Sequence, residues 1–177
     1  METHHPTMSD PHAKRQGFTL IELLITAAIL LALAGMAIPA LATSVEEAQQ
    51  TTASQMLARM RTAVDFYAFQ HDEEFPGYDP VAAAWSAAAF DNQLRLASDE
   101  SGNTAAVGTA GYPFGPYLND ALPANPYNDL GTVTIVAPGG TFAGPDDATG
   151  WVFFADTGII RANSSGTTYA GGAIFDL

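Results

Sequence analysis

The residues best suited to chemistry lie together near the N-terminus, in the string Lys14-Arg15-Gln16-Gly17-Phe18-Thr19-Leu20-Ile21-Glu22. From Phe18 to Ala42 the chain is apolar except for Thr19, Glu22 and Thr26. A carboxylate at mid-membrane costs about 2.5–3.5 kcal/mol, and somewhat less near an edge. Glu22 therefore calls for a partner. Cleavage after Gly17 would create one, the new α-amino group of Phe18, which could pair with Glu22 of a neighbouring chain. The chemistry implied is removal of a leader by another enzyme, then ion pairing that sets a docking register.

The rest of the chain offers little for catalysis. It has no cysteine, so a thiol nucleophile, a disulfide framework and a Cys-based zinc site are excluded. Beyond residue 17 there is one histidine, His71, and no G-x-S-x-G, P-loop or H-E-x-x-H pattern. Asp72, Glu73 and Glu74 are adjacent acids, which more often form a solvated turn than the acid/base pair of a glycosidase. Candidate oxygen ligands for calcium are Asn128, Asp129, Asp146, Asp147 and Asp156. Calcium takes six to eight converging oxygens, and these residues lack EF-hand spacing, so solvated loop carboxylates are the plainer reading. No other cofactor is expected. Asn163-Ser164-Ser165 matches a glycosylation sequon. The net charge is −13, with no lysine beyond residue 17. Such a body repels nucleic acid, so no nucleic-acid partner is expected.

The elements around the N-terminal string divide the chain into a segment 1–17, an apolar segment 18–42 and a body 43–177. About 25 apolar residues suffice to cross a bilayer as a helix. Basic residues before the run and Glu46-Glu47 after it predict an N-terminus inside and a body outside. Gly35 and Pro39 sit four apart, and Pro39 removes a backbone donor, which predicts a kink or loosening there. Beyond Ala42, Val45, Ala48, Thr52, Met56, Met60, Ala63 and Tyr67 recur at helical spacing, with Leu57, Val64 and Phe66 widening the stripe. One helix from Phe18 to about Gln70 would be roughly 80 Å long. His71 to Gly77 carries its stop signals.

A second helix is predicted to start near Asp79-Pro80, with Val81, Ala84, Trp85, Ala88 and Leu96 on its apolar face. Residues 98–111 read as a flexible surface loop. Leu122-Pro123-Ala124-Asn125-Pro126-Tyr127 reads as a fixed extended connection that lays Tyr117 and Tyr127 against the core. Strands are predicted at about 132–137, 150–155 and 158–162, the last two joined by a tight turn at Asp156-Thr157-Gly158. The tail AGGAIFDL suggests a short edge strand. The fold class is α+β, a long N-terminal helix packed on a small antiparallel sheet with a loop-rich body.

Two processing schemes compete. In one, Ala40-Leu41-Ala42 ends an ordinary secretory signal peptide, and the body is a secreted or periplasmic ligand-binding module or enzyme. In the other, cleavage follows Gly17 and the apolar helix is kept. Glu22, the length of the run and the helical pattern continuing past Ala42 favour the second.

KRQG-FTLIELLI resembles the prepilin-type signal of type IV pilins and type II secretion pseudopilins. The resemblance implies that a prepilin peptidase cuts after Gly17 and methylates Phe18. It implies that Glu22, Gly35 and Pro39 act in assembly, the last two through local unwinding of the helix in the filament. It further implies a homo-oligomeric filament with other pilins or pseudopilins, built on an inner-membrane assembly platform. Before assembly the subunit would sit among membrane lipid as a single-pass protein with its body in the periplasm. Phe75-Pro76, GPYL, LPANPY and the terminal hairpin resemble the major pseudopilin of type II secretion. The end of the chain, RANSSGTTYAGGAIFDL, departs from that subunit's Asp- and Gly-rich calcium loop.

Overall fold

The structure, a computed structural model, describes residues 17–177, and the side chains of residues 36–43 lie outside the described set. Helix α1 spans Leu20–Gln70. The chain divides into two compact units, Met1–Leu41 and Ala42–Leu177, with the boundary inside α1.

In the first unit the described side chains of α1 are exposed on every face. Leu20, Leu24, Ile29 and Leu31 all keep more than half of their surface open. A helix apolar all round needs lipid or other protein to cover it. Among the described residues, no helix is long and apolar enough to cross a membrane. The side chains from Met36 to Ala42, which continue the apolar run in the sequence, are not among them. Gly35 and Pro39 both fall within α1. A Cβ at Gly35 would meet nothing within 4 Å, while the side chain of Pro39, and the loosening expected there, lie outside the described residues.

In the second unit α1 buries Ala53, Leu57, Met60, Ala63, Val64, Tyr67 and Ala68. Most of the predicted stripe is buried: Leu57, Met60, Ala63, Val64 and Tyr67 lie in the core, and Met56 packs against it. Val45 and Ala48, at the start of the stripe, and Phe66, at its edge, are exposed. The core also contains Phe90, Leu94, Leu118, Val133, Trp151, Phe153 and Ile160. Tyr117 and Tyr127 pack against it, partly buried, as expected from the proline-fixed segments.

The main sheet has the order β5-β6-β7, from Val133–Val136, Trp151–Phe154 and Ile159–Ala162. β6 and β7 form the expected antiparallel hairpin, with Phe154 opposite Ile159. Gly158 completes the turn at φ +69°, and a Cβ there would strike the ring of Phe75. β5 instead runs parallel to β6, with Val133 opposite Trp151, so this sheet is mixed. The long connection 137–150 crosses back before β6 begins, which a parallel pair requires. The two smaller sheets are antiparallel pairs.

Two further expectations change. The second helix does not start at Asp79. Residues Tyr78–Asp79 and Ala84–Trp85 form a two-stranded arm, β1-β2, and α2 spans Ala87–Arg95 with Ser86 as its N-cap. Asp79 does accept amide hydrogens, from Val81 and Ala82, but it caps a turn rather than a helix. Ala83 then takes φ +52°, which breaks any helical path, and leaves Val81 almost wholly exposed. Residues 98–111 are not a loose loop. Ala97–Ser98 (β3) pairs with Thr104–Ala105 (β4), closed by Asp99, which binds the side chain of Asn103 and the amides of Ser101 and Asn103. The tail forms a 3-10 turn, Ile174–Asp176, rather than an edge strand. Ile174 is buried in the core, and a single bridge joins Thr167 to Ala173.

Candidate functional site

The N-terminal string places its chemistry at the start of a helix. Gly17, Phe18 and Thr19 precede the first turn of α1, and Phe18 is 81% exposed. Gly17 and Phe18 are thus exposed and lie outside the helix.

Thr19 and Glu22 form a reciprocal cap. The Thr19 amide donates to Glu22 Oε2 at 2.8 Å, and the Thr19 hydroxyl donates to the same oxygen at 2.7 Å. In return the Glu22 amide donates to Thr19 Oγ1 at 3.3 Å. This is the S/T-x-x-E capping box, which satisfies helix N-terminal donors that otherwise lack partners. Glu22 therefore has a partner inside its own chain, a role not anticipated from the charge in the apolar run alone. The signal, Thr19-Leu20-Ile21-Glu22, is plain in the sequence. Both bonds from Thr19 fall on Oε2, which leaves Oε1 without a described hydrogen bond.

The calcium candidates are dispersed or already engaged. Asp146 accepts from the Asn163 side chain at 2.7 Å and from the Ala148 amide at 3.1 Å. The Asn163 bond and then the Ala148 amide hold its carboxyl below the usual carboxylate range, against a small opposing effect of burial. Asp147 binds the hydroxyl and amide of Ser165. Asp129 is in the left-handed region at φ 57°, and its backbone amide closes a turn onto the Asn125 carbonyl. Asp156 sits at the β6-β7 turn, outside that group. Among the described residues no three acids, histidines or cysteines gather as a metal-binding set. Asn163 of the sequon is fully buried, and its amide donates to Asp146 and to Thr149 Oγ1, so it presents no acceptor nitrogen to a glycosylating enzyme.

Asn125, Asn128 and Asn163 act together in a way the sequence did not announce. Asn125 donates to Gly150 O and Ser164 Oγ and accepts from the Tyr127 amide. Asn128 donates to the carbonyls of Thr149 and Asn163. These side chains join the proline-rich segment to the ends of β6 and β7 in place of regular strand pairing.

Residues 12–38 match the family model for the prokaryotic N-terminal methylation motif. The chain is also similar to the type IV major alpha-pilin of Moraxella bovis, at 38% identity over 87 residues, which is 49% of this chain and 50% of the relative. The chain thus spans about half the length of the curated relative it matches. No solved structure matches it. The N-terminal segment thus carries the prokaryotic N-terminal methylation motif, and the likeness to a type IV pilin reaches about half of either chain.

Proposed function

We propose that the chain is a filament subunit, trimmed between Gly17 and Phe18 by a prepilin peptidase, methylated on Phe18 and polymerised through its N-terminal helix. The filament is a type II secretion pseudopilus or a type IV pilus, and an inner-membrane platform assembles it from membrane-anchored subunits. The observation that carries this reading is the uncovered apolar surface of Phe18 and of α1 from Leu20 to Leu33. Such a surface is stable only in lipid or against other helices. The capping box refines the role of Glu22. Thr19 holds Oε2 and fixes the carboxylate, while Oε1 stays available to the Phe18 amine of a neighbour. Charge-assisted hydrogen bonds of this kind are the strong ones.

The alternative, a signal peptide cleaved after Ala42, would cut within α1, which runs through that position. The test is the intact mass, with N-terminal fragmentation, of the protein recovered from its native membrane. A chain beginning at Phe18 with one added methyl group is the expected result. A chain beginning at Thr43 would overturn the proposal and restore the secreted-module reading.

A further inference from the structure

Behind the end of α1, in the second unit, lies a cavity of about 230 Å³ lined by Tyr67, His71, Glu74, Tyr78, Gln93 and Glu100, among others. His71 is 3% exposed. Its ring stacks on Tyr67 at 3.8 Å between centroids, and Phe114 meets it edge-on. Its Nδ1 lies 2.8 Å from the Tyr67 carbonyl. A carbonyl only accepts, so Nδ1 carries the hydrogen, and in the neutral ring Nε2 is a bare lone pair. That Nε2 is buried with no hydrogen-bond partner. A buried acceptor left in this state is costly.

Apart from the hydroxyls of Tyr67 and Ser101, the polar groups around the cavity share one bias. Glu74 and Glu100 are exposed carboxylates at its rim, and ionised carboxylates only accept. The Gln93 amide nitrogen is spent on the carbonyls of Tyr78 and Gly102, and its oxygen takes the Gly77 amide. Burial, together with Tyr117, Asp99 and Glu74, pushes the Tyr67 phenol well above its usual range, so that hydroxyl stays protonated. The apolar walls come from Phe75 and Pro80 and the faces of Tyr67 and Tyr78. Acceptors in excess, a negative potential and aromatic faces suit a positively charged head on an apolar stem.

We propose that this cavity binds a primary ammonium or guanidinium group carried on a short alkyl chain, with His71 Nε2 and the carboxylates of Glu74 and Glu100 as its acceptors. Two sources share that chemistry, a free alkylamine and a lysine or arginine side chain of a protein partner. Beyond residue 17 this chain has no lysine. Of its arginines, Arg61, Arg95 and Arg161 are held by Leu177 and Ile160 carbonyls, Asp91 and Asp176 respectively.

The experiment uses the full chain in detergent, with His4, His5 and His12 replaced by Gln so that His71 gives the one histidine ring signal. Butylammonium is titrated, with butanol as the neutral control. The expected result is a saturable shift of the His71 ring resonances, half complete at about 1 mM or above as befits so small a ligand. Butanol should give no such shift. Glu74→Gln and Glu100→Gln, both on the exposed rim, should each weaken binding about tenfold, the scale of one lost charge-assisted bond. No saturable shift up to about 50 mM, equal shifts with butanol, or unchanged midpoints in both variants would each overturn the proposal. A blocked lysine tripeptide binding more tightly than butylammonium assigns the site to a protein partner, and equal or weaker binding assigns it to a free amine. None of these outcomes depends on whether the chain forms filaments.

Discussion

Glu22 caps α1 in the structure and, in the proposed filament, pairs with a neighbour's Phe18 amine, and variants can tell the two tasks apart. Thr19→Ala removes one side of the capping box and should weaken the first turn of α1 by about 1 kcal/mol. Faster amide exchange at residues 20–24 of the full chain in detergent is the expected readout, with filament yield only modestly lowered. Glu22→Ala should fray the same turn and, in addition, block efficient assembly while the subunit stays in the membrane. Normal filament yield from Glu22→Ala would count against pairing with the Phe18 amine. Among the body residues, Asp146 has a worked pH dependence. Its folded carboxyl is held low by Asn163 and the Ala148 amide. Its contribution is therefore present above the ordinary carboxylate range and lost as pH falls through the lowered folded value. Asp146→Asn should flatten the acid limb of the unfolding profile relative to the parent chain, and an unchanged limb would dismiss the contact as a surface ornament.

At the scale of elements, the sequence was most legible where pattern and punctuation agreed. The end of α1, the three longer strands and the Asp156-Thr157-Gly158 turn follow from helical stop signals, apolar runs and a glycine at positive φ. Legibility failed at 78–86 because two mechanisms share one signature. Asp79-Pro80 suits a helix N-cap and a capped turn equally well, and the choice was made by Ala83 at φ +52° and by the Ser86 cap. Ser86→Ala should cost about 1 kcal/mol and lower the melting temperature, whereas Asp79→Ala should leave the helicity of α2 intact. The reverse order of effects would restore the helix start at Asp79. The parallel pairing of β5 with β6 was also hidden, since strand periodicity is the same for either direction. The asparagine joints at 125, 128 and 163 were missed for a related reason. A buried amide is recognised by what it touches, and those partners lie up to 39 residues away. The candidate site was more legible than the body, because its motif is local and its spacing is short.

At the scale of the molecule, a net charge of −13 and an apolar N-terminal helix pull in opposite directions. Bodies of like charge repel at low ionic strength, and salt at about 0.15 M confines that repulsion to roughly 8 Å. Helix burial is hardly screened. Assembly of purified subunits should therefore quicken as sodium chloride rises from about 0.01 M to 0.15 M, as followed by light scattering. A rate that falls over that range would mean that attraction between opposite charges, rather than burial of α1, drives growth. Arg59 is the exposed exception, only 3.9 Å from Asp120 and more than half open.

The two tryptophans supply an optical consequence of this architecture. Trp151 is wholly enclosed, with its indole nitrogen bonded to the Pro123 carbonyl at 2.7 Å. Trp85 is partly buried, and its ring lies 5.6 Å from that of Tyr78, a wall of the cavity behind α1. Their emission should differ in colour, blue for the first and red for the second. A single chain thus holds two built-in lamps, one reporting the integrity of the core and the other the state of the arm beside the cavity.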